Sequence, residues 1–92
     1  MTGLELISKE RDKQISKHGF TGEHHANHPE WYDRNQLTEA SNSLSMVEIN
    51  SVLVPFGWDA EWFKSLCERP YIERLSIAGA LLASEIDRLN SL

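Results

Sequence analysis

Cysteine, positive charge and long apolar runs are all scarce in this chain, and each scarcity excludes something. The lone thiol, Cys67, rules out an internal disulfide framework. No short-range motif activates it, so it reads as a buried thiol in a reducing compartment. No stretch approaches the roughly 18 continuous apolar residues of a membrane-spanning helix. The opening residues combine neither a basic region nor an apolar signal core, and the expected location is cytoplasmic. Nine Lys and Arg face fourteen Asp and Glu, a net charge of −5. That balance disfavours broad nucleic-acid binding, which relies on a cationic surface. The densest basic group, Lys9, Arg11, Lys13 and Lys17, is interrupted by Glu10 and Asp12 and reads as a solvated helix face. Recognisable reaction motifs are missing as well: there is no Gly-rich phosphate loop, no GxSxG segment and no array of acidic residues that defines a magnesium cage.

What is present is an apolar fraction of 40% in 92 residues. This suits one helical domain over residues 1–92 with a modest core. A core of that size leaves little margin, so a bound ligand or homo-oligomerisation is a natural supplement. Leu4, Ile7, Arg11, Ile15 and His18 follow the three-to-four spacing of one helix face, and Gly19 is a natural stop. A second helix is expected over 35–47, with Leu37, Ala40, Leu44 and Val47 as its stripe. Asp33 and Gln36 resemble a capping box, with Asn35 as an alternative cap. The run EINSVLVPFGW reads either as a short strand or as a buried turn ended by Pro55 and Gly57. Asp59 then caps AEWFKSLCE. The longest helix spans 70–90, with Pro70 in its first turn and Ile72, Leu75, Gly79, Leu82, Ile86 and Leu89 as its apolar stripe. The expected architecture is all-α: a small three- to four-helix bundle with a long polar loop between the first two helices.

The chemistry concentrates in that loop. All four histidines fall between His18 and His28, in and beside the stretch GFTGEHHANH. In a helical turn His24 and His28 share a face, while His25 points elsewhere. Two imidazoles with Glu23 could hold a divalent metal such as zinc, although the spacing is not HExxH. The alternative is structural hydrogen bonding. Arg11, Gln14, Glu23, His24, His28 and Trp31 form a candidate lining for a ligand site, because one arginine can meet a phosphate without making the whole protein basic. The partner would be a small nucleotide-like ligand or a host protein. Trp58 and Trp62 lie four apart and suit a core anchor, a base-stacking platform or a subunit contact. Gly79 interrupts strong helix formers at a penalty of roughly 1 kcal/mol, which close approach of another backbone would explain. Trp58, Trp62 and Gly79 are therefore the candidate subunit interface.

The segments ERDKQISKHGFTGEHHANH, NQLTEASNSL, PFGWDAEWF and LSIAGALLASEIDRL, in that order, resemble a family of small helical proteins frequent in bacteriophages and prophages. The shared pattern places Arg11 and Gln14 on a helix, Gly19, Phe20 and Thr21 at a turn, and Glu23, His24 and His28 in the polar segment. His25 stands where the family pattern usually has aspartate. The resemblance implies a phage-associated accessory or binding protein and names no reaction. Small phage proteins also invite comparison with all-helical nucleotide pyrophosphohydrolases, so a metal-dependent nucleotide phosphohydrolase is the enzymatic alternative. The ExxE and ExxD pair that such enzymes use is not reproduced here.

Overall fold

The computed structural model describes residues 1–92 and contains six helical segments and no strand. They are α1 (Gly3–His18), α2 (Gly22–Ala26), α3 (Pro29–Tyr32), α4 (Gln36–Leu44), α5 (Ala60–Cys67) and α6 (Tyr71–Asn90). The bundle is all-α, as expected, but the segment expected to be one polar loop carries α2 and α3. Local signals account for both. Thr21 Oγ1 accepts the backbone N–H of His24 at 3.0 Å and starts α2, and Pro29 occupies the first turn of α3, where no N–H is needed.

The boundaries of α1 follow from its ends. Thr2 and Glu5 form a reciprocal capping box. Gly19 turns left-handed at φ 66°, and the N–H of Phe20 reaches back to the carbonyl of Gln14 at 3.1 Å. α4 is shorter than expected and ends at Leu44, leaving Val47 69% exposed. Its capping box is not formed. Asn35 takes φ 63°, and the Gln36 side chain accepts from the Arg34 N–H at 2.6 Å while donating to the Phe56 carbonyl at 3.3 Å. The buried guanidinium of Arg74 finishes the far end of α4. It donates to the carbonyls of Leu44 and Val47, each at 3.0 Å, and to that of Met46. The run before Pro55 is neither a strand nor a buried turn: it consists of bends and irregular backbone with Val52, Leu53 and Val54 exposed, and the turn follows Pro55 at Phe56 and Gly57.

α6 is the central element, and α1, α2 and α4 all pack on it. Its buried face consists of Arg74, Ile77, Ala78, Ala80, Leu81 and Ser84. The expected stripe is therefore corrected: Ile72, Leu75, Leu82, Ile86 and Leu89 are 40–66% exposed. The physical reason is side-chain size. Ala78, Ala80 and Ser84 let neighbouring helices approach closely, as Ser41 Oγ shows by donating to the Ala78 carbonyl at 2.8 Å. Gly79 has an explanation within the chain. A Cβ there would lie 2.6 Å from Ile7 Cδ1, so the glycine admits a side chain of α1 rather than a foreign backbone. Gly22 makes the closer approach, since a Cβ on it would collide with the carbonyl of Asp87 on α6. The core joins Tyr32, Leu37, Leu44, Phe63, Ile77 and Leu81, with Trp58 packed at its edge. No helix is long and apolar enough to cross a membrane.

Candidate functional site

Thr21, Gly22 and Pro29 fold the histidine-rich segment into two short helices, of which α2 packs on α6 and α3 on α2 and α4. His24 and His28 come together as their spacing predicts, with ring centroids 4.6 Å apart. His28 then stacks on Trp31 at 4.5 Å and 14°, and its Nδ1 lies 2.9 Å from Glu30 Oε1. His25 points the other way and is 1% exposed. Its Nε2 lies 2.7 Å from Ser84 Oγ, its Nδ1 lies 3.2 Å from His24 Nδ1, and its ring packs 3.9 Å from that of Tyr32.

Two hydrogens cannot share the 3.2 Å gap between the Nδ1 atoms, so at most one of His24 and His25 carries a proton there. Burial, reinforced by His24, Arg11 and Arg88, pushes His25 down to about 4 from its ordinary 6.5. Burial and the nearby His28 lower His24 in the same direction. Tyr32 moves up to about 12, first from burial and then from the charge of Glu30, so its phenol stays protonated. A hydroxyl 2.7 Å from a neutral imidazole is half of an activated nucleophile. Ser84 nevertheless sits in mid-helix with 0% exposure, where neighbouring N–H groups are spent on the helix ladder. The pair is built as a structural clasp between α2 and α6.

Beside these rings lies a cavity of about 310 Å³. Its walls include Phe20, His24, Trp31, Tyr32, Trp58 and Trp62, and its only charged lining residue is Asp59. The rings hold each other at broad angles. Tyr32 and Trp58 are 6.3 Å apart at 73°, and Trp58 and Trp62 are 6.0 Å apart at 57°. The Trp58 indole is fixed by donating Nε1–H to the Trp31 carbonyl at 2.8 Å. Asp59 Oδ1 accepts the Trp62 N–H at 2.7 Å, which fixes the start of α5 as its sequence predicts. A second cavity of about 310 Å³ shares Gln14, Phe20, Trp62 and Leu81 with the first and adds Lys13, His18 and Arg69, together with Glu10. The two cavities adjoin at these four residues, giving a two-part groove flanked by α1 and α5, aromatic in the first part and charged in the second.

Of the six candidate ligand residues, Gln14, His24 and Trp31 line this groove. Arg11 lies behind it. Its Nε donates to Asp87 Oδ2 at 2.9 Å and its Nη1 to the Phe20 carbonyl at 2.7 Å, so the guanidinium ties α1, the turn and α6 together. Arg11 Nη2 is 2.8 Å from the same Asp87 oxygen but lacks hydrogen-bond alignment, which leaves the contact ionic. His28 backs Trp31 from outside the cavity, and Glu23 is exposed. The expected metal set of His24, His28 and Glu23 is not assembled: no three His, Cys, Asp or Glu side chains cluster closely enough to hold an ion. Trp58 and Trp62, expected as a core anchor, a stacking platform or a subunit contact, both line the groove, and Trp58 also packs on the core. Phe20 and Asp59 were not singled out as ligand residues by sequence, and the density of aromatics around the Asp59 cap was the available signal for the latter. The thiol of Cys67 is pushed up by burial, in keeping with a structural role. No protein family, curated protein or solved structure matches this chain.

Proposed function

We propose that this protein binds a small planar molecule carrying an anionic group, a mononucleotide being the natural example. The observation that supports this is the two-part groove, with a tryptophan-rich end joined through Trp62 to an end containing Lys13 and Arg69. Aromatic faces stack on any flat ring, and base–aromatic stacking contributes about 1–3 kcal/mol per base. A guanidinium or ammonium at the other end then meets phosphate or carboxylate through charge-assisted hydrogen bonds. Lys13 is 3.1 Å from Glu10, and Arg69 is 3.3 Å from Glu73. Both are exposed pairs of the kind that contribute little to stability, so an anion can exchange for the carboxylate at modest penalty. The resemblance to small phage proteins gives this reading its setting, that of an accessory protein that holds a ligand.

The intrinsic fluorescence of the three tryptophans offers a direct assay with adenosine monophosphate and adenosine as probes. The expected result is saturable quenching by both, with the monophosphate binding about tenfold more tightly, as one charge-assisted hydrogen bond implies. Trp62→Ala should weaken both probes, whereas Arg69→Ala should weaken only the monophosphate. Failure of nucleoside monophosphates and of aromatic carboxylates to give saturable quenching refutes the proposal.

A further inference from the structure

The outer face of α6 is not explained by the bundle. Ile72, Leu75, Gly79, Leu82, Ile86 and Leu89 are spaced three, four, three, four, three, the repeat of a coiled-coil seam. Ile7 fills the notch at Gly79, while the other five residues are 40–66% exposed. At 100° per residue this stripe lies on the opposite side of α6 from Ile77, Leu81 and Ser84, the positions that face the groove. Other apolar residues are exposed at 46–56, but they occupy a turn-rich segment with no periodic face.

We infer that this stripe is a dimer interface and that its occupant is a second copy of the same chain, with the two α6 helices antiparallel. The stripe is self-complementary in that direction. A twofold axis passing between Ala80 and Leu81 sets Ile72 opposite Leu89 of the second copy and Leu75 opposite Ile86. Leu82 then falls opposite Gly79 and the Ile7 side chain that covers it. All three pairs follow from one operator, which is what an isologous interface requires. A parallel twofold pair would instead set Gly79 opposite Gly79, and a parallel pair offset by one heptad, which sets it opposite Ile72 or Ile86, is not a closed twofold contact.

Charge and area agree with this choice. Position 85 is the one charged residue flanking the seam, and Glu85 already pairs with Arg88 on its own helix. Ser76, Ala83 and Asn90 border the other side and are uncharged. The chain's net charge of −5 therefore does not accumulate at the contact. Five half-exposed Leu and Ile side chains offer on the order of 500 Å². Tyr71 at 38% exposure and Leu4 at 81%, one turn before Ile7, extend the apolar surface toward the ~800 Å² per partner of a standard interface.

Sedimentation equilibrium of the intact protein from about 1 to about 500 µM tests the association. A dimer that Leu82→Glu with Ile86→Glu converts to a monomer of unchanged helicity is the expected result. A wild-type monomer throughout the range overturns the inference, and so does a dimer that the double substitution leaves intact, which would place the contact elsewhere. Orientation is read separately in a Cys67→Ala background by oxidising Ile72→Cys and Leu89→Cys variants, alone and mixed. Both positions are exposed, so neither substitution threatens the fold. The antiparallel arrangement predicts a disulfide-linked dimer only in the mixture, joining position 72 of one copy to 89 of the other. Efficient cross-linking of either variant with itself contradicts that arrangement.

Discussion

Acidification should unfold this protein through one buried imidazole. His25 is 1% exposed and packed against Ser84 and His24, so charging it puts a cation in the interior, beside Arg11 and Arg88. In the unfolded chain it takes up a proton near 6.5, whereas in the folded protein it resists protonation until about 4. Between those values the unfolded state holds the extra proton, so stability rises with pH across the window. The contribution is complete above 6.5 and drains away as pH falls. At about 1.4 kcal/mol per pH unit, the loss is roughly 2 kcal/mol by pH 5 and roughly 3 kcal/mol by pH 4. That is a large share of the 5–15 kcal/mol typical of a whole domain, and a chain this short belongs toward the lower end. His24, lowered as well, adds to the slope with the same sign. Urea unfolding followed by circular dichroism at pH 7, 6 and 5 measures the loss. His25→Gln keeps a hydrogen-bonding group near Ser84 but cannot titrate, so its stability should be lower at pH 7 and much flatter between pH 7 and 5. If wild type and His25→Gln show the same slope in that interval, the buried imidazole is not the source and the reasoning fails.

Two glycines should respond differently to the same added methyl group. Gly22→Ala drives a Cβ into the Asp87 backbone carbonyl, and thermal melts should show a loss at or above the roughly 1–3 kcal/mol usual for overpacking. Gly79→Ala meets Ile7 at Cδ1 and Cγ1, 2.6 and 2.7 Å away, a side chain rather than a backbone carbonyl, and gains roughly 1 kcal/mol of helix preference, so its net change should be smaller than that of Gly22→Ala. Arg74→Met should strand the carbonyls of Leu44, Met46 and Val47. Urea titration should show a loss of about 3 kcal/mol or more, and Arg74→Lys should recover only part of it because an ammonium cannot reproduce the planar fork.

Much of the fold could be read from local chemistry. Gly19, Asp59 and Pro70 mark helix ends through short-range rules, and the structure places the ends of α1, α5 and α6 close to those marks. α4 was harder because its end depends on Arg74, 30 residues away from Leu44, and no local rule reveals such a partner. The facing of α6 was illegible for a related reason. Its surface is apolar on two sides, and only the close approach of α2 at Gly22 and of α4 at Ser41 decides which side is covered.

The site was legible as a place but not as a set of residues. Spacing correctly paired His24 with His28 and turned His25 aside. It could not show that His25 is a buried clasp on Ser84, a contact spanning 59 positions. Arg11 illustrates the same limit, since the residue nominated for a ligand is engaged by Asp87 at a separation of 76 positions. The tryptophans share one cavity because the Trp58 indole is tied to the Trp31 carbonyl, 27 positions away, which no local rule reveals.

The binding reading meets its most direct test in a heteronuclear NMR titration of the intact protein with adenosine monophosphate. Saturable shifts are expected only in the groove, at the indole N–H of Trp62, at Phe20 and Gln14, and at the side chains of Lys13 and Arg69. Adenosine should reproduce the aromatic shifts and leave Lys13 and Arg69 unmoved. No saturable shift at Trp62, or shifts scattered outside the groove, would rule out the groove as the binding site.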